Sequence, residues 1–187
     1  MLDSLFALAE NIAGVDRLVA ELIVSLRHPV LTKLMTSVTG LGSATAALVI
    51  LGLFRTAGWR TLYLRGVVSL GLAGAVVGTL MIAVQRPFPP GPVCLTDAAI
   101  AHSFPSGHAA AATIYLLLAV GSERLPTAAT AVLAVAIGLS RIYMGTHYVS
   151  DTVAGIAIGV GAFVIARWLL AAGEDVSTRA RQRVSLR

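Results

Sequence analysis

The chain has 187 residues, of which 57% are hydrophobic and 12% are charged, and its formal net charge is +5. A soluble domain contains about 25% charged residues, so this composition excludes an ordinary water-exposed surface. The basic residues are dispersed and only 6% of the residues are aromatic. This excludes a nucleic-acid-binding groove, and we expect no nucleic-acid partner. The cationic balance instead favours contact with anionic membrane lipids.

The N-terminal segment, residues 1–33, predicts an amphipathic helix. Leu18, Leu22 and Leu26 recur at helical spacing, with the polar residues Asp16 before them and Glu21 between them. This pattern is typical of a helix that lies at the membrane interface. A sixth membrane span in the same segment is the alternative.

Stretches without charge predict five transmembrane helices. No charged residue lies between Lys33 and Arg55, or between Arg65 and Arg86. A helix needs about 20 apolar residues to cross the hydrocarbon, so both stretches are long enough. Shorter apolar runs follow in the second half of the chain. We therefore expect an all-α polytopic bundle with helices near residues 36–54, 66–85, 106–122, 126–144 and 149–170.

The charges of the loops predict the orientation of the bundle. The loop of residues 55–65 has three arginines and no acidic residue, and the tail of residues 173–187 has four arginines. The positive-inside rule places both on the cytoplasmic side of the cell membrane. The loops of residues 86–105 and 144–149 then lie at the outer face. The membrane-embedded domain between the N-terminal segment and the tail covers residues 34–172.

Two pairs of glycines, each four residues apart, predict close packing of helices. Gly74 and Gly78 form one pair, and Gly155 and Gly159 form the other. This spacing lets two membrane helices approach closely. We favour packing within one bundle over a dimer seam, and the sequence leaves the oligomeric state open.

Three polar stretches interrupt this apolar chain. Residues 85–90 contain Arg86 and the prolines that end a helix. Residues 105–108 predict a helix start with Ser106 as the cap, where free N–H groups suit an anion. Residues 140–151 join the last two predicted helices. The predicted topology brings all three stretches to the same face of the membrane.

These stretches contain the side chains that phosphoryl transfer requires. His147 and Asp151 are four residues apart, so on a helix the carboxylate reaches one ring nitrogen and leaves the other free to attack. Arg86 and Arg141 match the oxygens of a phosphate, and His108 lies at a helix start. Carboxylate clusters for magnesium and cysteines near the histidines for zinc are both missing from the sequence. We therefore expect no metal and no other cofactor.

The three stretches resemble the motifs of the type 2 phosphatidic acid phosphatase (PAP2) family. This family is the membrane lipid-phosphatase branch of the superfamily that includes the vanadium haloperoxidases. Its motifs are a lysine followed after six residues by Arg-Pro, then Pro-Ser-Gly-His, then Ser-Arg-x5-His-x3-Asp. The second and third motifs are intact, and the resemblance covers about residues 30–170. The first has Arg86 and Pro87, but Thr79 stands at the lysine position, which predicts one cation fewer.

The resemblance implies a role for each matched residue. His147 would attack phosphorus and form a phosphohistidine, and Asp151 would orient His147. His108 would protonate the leaving alkoxide and then activate water. The phosphoryl oxygens would be held by a second set of residues, namely Arg86, Pro87, Ser106, Gly107 and Arg141.

The implied function is that of a metal-independent membrane phosphatase that hydrolyses a lipid phosphate or diphosphate. Phosphatidic acid, phosphatidylglycerophosphate and polyprenyl diphosphate are the substrate types that fit. One alternative is a non-catalytic protein that binds lipid phosphates, for which Thr79 is the support. A second alternative is a vanadate-dependent haloperoxidase, against which the small size and the membrane helices argue.

Overall fold

The computed structural model describes residues 2–93 and 102–185, and every regular element in these ranges is helical. The predicted all-α class is therefore confirmed. Part of the predicted outer loop, residues 94–101, lies outside the described residues. In chain order the elements are α1 (Leu2–Ser25), α2 (Pro29–Thr39), a 3-10 turn (Gly40–Gly42), α3 (Ala44–Thr56), α4 (Arg60–Val84), α5 (Gly107–Ala119), α6 (Thr127–Tyr143) and α7 (Val149–Ser185).

The predicted number of five membrane spans is not confirmed. Within residues 2–93 and 102–185, only α4 and the Val149–Gly173 part of α7 are long and apolar enough to cross a membrane singly. The predicted first span is broken by the 3-10 turn, and its halves, Pro29–Gly42 and Ala44–Thr56, meet at 54°. Helices α5 and α6 are apolar but have 13 and 17 residues. A 13-residue helix is about 20 Å long, less than the hydrocarbon thickness of about 30 Å.

Helix α5 can be short because it lies at the centre of the bundle. Eight of its 13 residues are buried, and it packs against α4, α6 and α7. A Cβ added at Gly159 of α7 would lie 2.6 Å from the carbonyl oxygen of Ala110. The Gly155 and Gly159 pair therefore packs within one bundle, as predicted. Gly74 and Gly78 have no neighbour within 4 Å of an added Cβ in the described part of the chain.

Helix α1 has an outer apolar face and an inner face that packs on the bundle. By length and composition α1 is not a candidate span. Its outer face exposes the apolar residues Leu8, Ile12, Val15, Leu18 and Leu22. Asp16 and Ala20, four residues apart on the inner face, are 2% and 7% exposed. The predicted amphipathic helix is thus docked on its own protein through a face that includes a carboxylate.

The last helix extends further than the sequence pattern indicated. The backbone of α7 continues to Ser185, so the predicted tail, residues 173–187, begins as a continuation of this helix. Residues 186–187 and the side chains beyond Gly173 lie outside the described part of the chain.

Candidate active site

Four helix ends surround the candidate active site: the C-terminal ends of α4 and α6 and the N-terminal ends of α5 and α7. Helix α4 ends at Val84, and Gln85 follows in the left-handed conformation with φ of 50°. Ser106 caps α5, as predicted, by accepting a hydrogen bond from the N–H of Ala109. The N–H of Ser106 donates to the carbonyl oxygen of Asp151 at 3.0 Å. The structure therefore brings the three polar stretches together.

His147 is 5% exposed and lies in the loop between α6 and α7. Its Nδ1 makes a short hydrogen bond with the backbone carbonyl of Ser103. Because a carbonyl oxygen only accepts, Nδ1 must carry the proton, and the lone pair of the neutral ring is on Nε2. Burial, together with the charges of Arg141 and His108, lowers the pKa of His147 to about 3. The ring is therefore neutral at pH 7, as a nucleophile requires.

Asp151 is fully buried, and its carboxylate contacts differ from the expected ones. Oδ1 accepts from Arg86 at 2.5 Å, and Oδ2 accepts from the N–H of Tyr148 at 2.8 Å. Among the hydrogen bonds of the described residues, none joins Asp151 to the His147 ring. Helix α7 begins at Val149, so His147 precedes it and the spacing of four residues does not place both on one helical face.

The position of Asp151 still links it to His147 through the backbone. Asp151 is the third residue of α7, and its side chain reaches back to the N–H of the residue before the helix, as in a capping box. That residue, Tyr148, directly follows His147. Asp151 therefore holds the backbone beside the His147 ring and leaves the Nδ1 proton to Ser103.

His108 and Arg141 lie on the side of the site formed by α2 and the 3-10 turn. His108 is in the first turn of α5, and a Cβ added at Gly42 would lie 3.0 Å from its ring. Arg141 donates from Nη1 to the Thr39 hydroxyl at 2.8 Å, while its Nε is buried without a hydrogen-bond partner among the described residues. The charges of both side chains lower the pKa of His147, because the three predicted residues lie close together.

The start of α5 is suited to a phosphoryl oxygen. Gly107 and His108 are the first two residues of the helix, and the N–H groups at these positions have no partner within a helix. The Ser106 hydroxyl is already used as the cap, and its residue is fully buried. Gly107 therefore offers a backbone donor, whereas Ser106 shapes the turn.

Arg86 is part of a buried ion-pair network. Besides Asp151, it donates from Nη2 to Asp16 at 2.8 Å and from Nη1 to the Ser150 hydroxyl at 2.7 Å. Its guanidinium also lies 4.1 Å from the centre of the Tyr148 ring. Burial alone would lower the pKa of Arg86, but the hydrogen bond that it donates to Asp16 and the charge of Asp151 raise this pKa.

Two residues of the first motif, Pro87 and Thr79, form hydrogen bonds with the protein itself. Pro87 has no backbone N–H, and its carbonyl accepts from the Ser103 hydroxyl at 3.0 Å. Thr79 is exposed, and its hydroxyl donates to the carbonyl of Ala75 in its own helix. Both residues are therefore engaged with the protein itself.

Three further residues of the site were not predicted from the sequence. Ser103 binds His147, Thr39 binds Arg141, and Asp16 binds Arg86. Ser103 lies two residues before the second motif, so closeness in the chain was a usable signal. Asp16 and Thr39 lie far from every motif in the sequence, and neither has a comparable signal.

An apolar cavity of about 590 Å³ reaches the site from between α3, α4 and α5. His108 and Gly107 form one end of its lining, and the remainder includes Ala47, Leu51, Leu70 and Val77. A larger cavity of about 640 Å³ lies at the opposite end of the bundle, beside Trp59 and Tyr115. Only the smaller cavity contacts a predicted catalytic residue.

Comparison with known proteins places the chain in a family. The PAP2 superfamily model matches residues 62–173, more than half of the chain. Phosphatidylglycerophosphatase B of Bacillus subtilis is 26% identical over 173 residues, which cover 83% of both chains. Decaprenylphosphoryl-5-phosphoribose phosphatase of Mycobacterium tuberculosis is 39% identical over 92 residues, about half of each chain at 48% and 51%.

Two solved structures share the fold. The crystal structure of a transmembrane PAP2-type phosphatidylglycerolphosphate phosphatase from Bacillus subtilis has a TM-score of 0.72 and 23% identity, and the match covers 87% of each chain. Aquifex aeolicus LpxE has a TM-score of 0.63 and 26% identity, over 79% of this chain and 91% of its own. The chain therefore belongs to the PAP2 superfamily and is an integral membrane phosphatase.

Proposed function

We propose that the chain hydrolyses a lipid phosphate or diphosphate through a phosphohistidine on His147, without a metal. The observation that supports this most strongly is the state of the His147 ring. Its Nδ1 is bonded to Ser103 and its pKa is lowered to about 3, so Nε2 has a free lone pair at neutral pH. The Nε of Arg141 has no hydrogen-bond partner in the described part of the chain, so it provides a donor for the phosphoryl oxygens.

In the first step, Nε2 of His147 attacks phosphorus and the bond to the leaving alkoxide breaks. The leaving oxygen takes a proton from His108, whose ring is protonated when the negatively charged phosphate lies beside it. Negative charge on the phosphoryl oxygens is stabilised by the Arg141 guanidinium and the N–H groups at the start of α5. Arg86 contributes its charge while it holds Asp151 in place.

In the second step, His108 accepts a proton from water, and the water oxygen attacks the phosphorus of the phosphohistidine. The P–N bond breaks and inorganic phosphate leaves. His147 returns to the neutral form with its proton on Nδ1. His108 regains the protonated form, so both histidines are ready for the next substrate.

The substrate class follows from the cavity beside His108. A lipid phosphate places its phosphate between the two histidines and its chain in the apolar cavity of about 590 Å³. The relative that matches most of the chain is named as a phosphatidylglycerophosphatase. Phosphatidylglycerophosphate is therefore the first substrate to test, before phosphatidic acid and polyprenyl diphosphate.

The orientation that we propose puts the site at the outer face of the cell membrane. The loop of residues 55–65 and the tail of residues 173–187 carry the arginines that favour the cytoplasm. The phosphatase domain that we propose covers residues 34–172. Accessibility of single cysteines in these loops to a membrane-impermeant reagent tests this orientation in intact cells.

The activity is tested with purified full-length protein in detergent. Phosphate release is measured from the three lipid classes in the presence of EDTA, for the wild type and for His147→Ala. We expect release from at least one class by the wild type. Because the proposed mechanism uses no other nucleophile, His147→Ala should lose at least about 1,000-fold in kcat.

Release that depends on added metal would contradict the metal-independent mechanism. Release by His147→Ala at the wild-type rate would contradict the phosphohistidine. His28→Asn is the matched control, because it removes an exposed histidine but keeps an acceptor for the N–H of Val30 at the start of α2, and it should keep wild-type activity.

A further inference from the structure

The N-terminal helix α1 reaches the candidate active site through Asp16. The Asp16 carboxylate accepts from Arg86 at 2.8 Å and from the backbone N–H of Ser150 at 3.0 Å. It also makes a short hydrogen bond with the Ser150 hydroxyl. Asp16 is 2% exposed, and a buried carboxylate is stable only when it is paired in this way.

Asp16 and Asp151 hold the same guanidinium from two sides. Arg86 donates to Asp16 from Nη2 and to Asp151 from Nη1. A guanidinium presents its donors as a rigid planar fork, so two carboxylates fix both its position and its plane. The orientation of Arg86, and of the Asp151 carboxylate paired with it, therefore depends on Asp16.

Asp16 and Asp151 also hold the start of α7 together. Asp16 accepts the N–H of Ser150, and Asp151 accepts the N–H of Tyr148. The N–H groups at the start of a helix have no partner within the helix, so these two depend on the carboxylates. His147 is the residue directly before this capped turn, so its backbone is tied to α1.

Arg27 provides a second polar anchor for the N-terminal segment. Its Nε donates to the carbonyl of Tyr143 at 3.2 Å, and its Nη1 makes a short bond to the carbonyl of Gly91. Tyr143 is the last residue of α6, and Gly91 lies between α4 and α5. Arg27 follows α1, which ends at Ser25, so the segment is held at Asp16 within the helix and at Arg27 just after it. The region matched by the family, residues 62–173, includes neither.

We propose that Asp16 is a positioning residue of the phosphatase site, which acts by clamping Arg86 against Asp151 and by capping the helix that follows His147. The proposal rests on the proposed function of that site. It makes α1 part of the catalytic framework, in addition to its predicted place at the membrane interface.

The test compares steady-state phosphate release by full-length wild type and Asp16→Asn with the lipid phosphate that the wild type hydrolyses best. Asparagine keeps the size of the side chain but removes the charge that holds Arg86. We expect kcat to fall about 10- to 100-fold, the range seen when partners that orient metal ligands are removed. KM should change less than about threefold, because Asp16 does not touch the substrate.

Glu21→Gln is the matched control, because Glu21 is an exposed acid on the same helix. It should keep wild-type kcat. If Glu21→Gln lowers kcat as much as Asp16→Asn, the effect belongs to the charge of α1 in general, and the proposal is overturned. Wild-type kcat in Asp16→Asn also overturns it.

A double-mutant cycle separates positioning of Arg86 from a general structural role. In an Arg86→Lys background the fork is already lost, so Asp16→Asn should lower kcat by less than about threefold further. If the kcat loss of the double variant equals the product of the two single losses, Asp16 acts independently of Arg86. If the wild type itself releases no phosphate from any lipid, it is the proposed function that fails.

Asp16→Glu covers the case in which Asp16→Asn does not fold. It keeps the charge and moves the carboxylate by one methylene, so it should fold and still lose kcat. Folding is checked by the thermal unfolding temperature in detergent. A folded Asp16→Glu with wild-type kcat would overturn the geometric requirement.

Discussion

The two ends of the helical bundle bury different kinds of side chain. Eight of the nine buried polar residues of the described chain lie around the candidate active site, and Ser69 of α4 is the exception; the eight are Asp16, Ser103, Ser106, Ser140, Thr146, His147, Asp151 and Thr152. The opposite end instead surrounds the cavity of about 640 Å³ with apolar side chains such as Phe54 and Leu133.

This difference determines how each end responds to change. Hydrogen bonds and ion pairs are directional, so the catalytic end has one productive geometry and a lost partner leaves another group unpaired. Apolar contacts are not directional, so the opposite end can rearrange around a substitution. Substitutions at the catalytic end should therefore affect activity, and those at the opposite end should affect stability alone.

Among the changes that test this comparison, Asp151→Asn should have the largest effect. Asparagine can still accept from the N–H of Tyr148, but it no longer provides the charge opposite Arg86. We expect kcat to fall about 100-fold, as when other residues that orient a reactive group are removed. Phosphate release measures this loss, and Glu123→Gln, an exposed acid far from the site, is the control. A change of less than twofold would show that the network is not needed for activity.

A smaller effect is expected on stability, which should fall at low pH because of His147. The pKa of His147 is lowered from 6.5 to about 3 in the folded chain. Between these values the unfolded chain binds a proton that the folded chain does not, so stability falls as the pH drops below 6.5. From pH 7 to pH 5 this loss is about 2 kcal/mol, and His147→Gln should remove it.

Thermal unfolding in detergent at several pH values measures this effect. The unfolding temperature of the wild type should fall more steeply between pH 7 and pH 5 than that of His147→Gln. Equal slopes would mean that His147 is protonated in the folded protein, and that conclusion would remove the free lone pair on which the mechanism depends.

The smallest effect is expected at the opposite end, from Tyr115→Phe. The Tyr115 hydroxyl is buried without a hydrogen-bond partner among the described residues. Removing an unsatisfied hydroxyl should stabilise the protein by up to about 1 kcal/mol and leave kcat unchanged. Unfolding temperature and phosphate release measure the two quantities. A large loss of activity would show that the two ends are coupled and that the comparison between them fails.

The sequence by itself determined the features that depend on neighbouring residues. Proline after Arg86 ends α4, and Ser106 caps α5 three residues before the N–H that it binds. Helices are built from such local contacts, so their presence follows from a short stretch of chain. The motifs around His108 and His147 were sufficient to identify the family for the same reason, because each is a continuous stretch of residues.

Only the tertiary structure decided which partners the site residues have. Ser103 binds a histidine 44 residues away, and Asp16 binds an arginine 70 residues away. A hydrophobic pattern shows that Asp16 lies on the polar side of α1, but it cannot show which polar group that side meets. The number of membrane spans was undetermined for a related reason: α5 is short because other helices surround it, and its length in sequence does not reveal its neighbours. Such contacts depend on how whole helices pack in space, and no local rule of chain geometry specifies them.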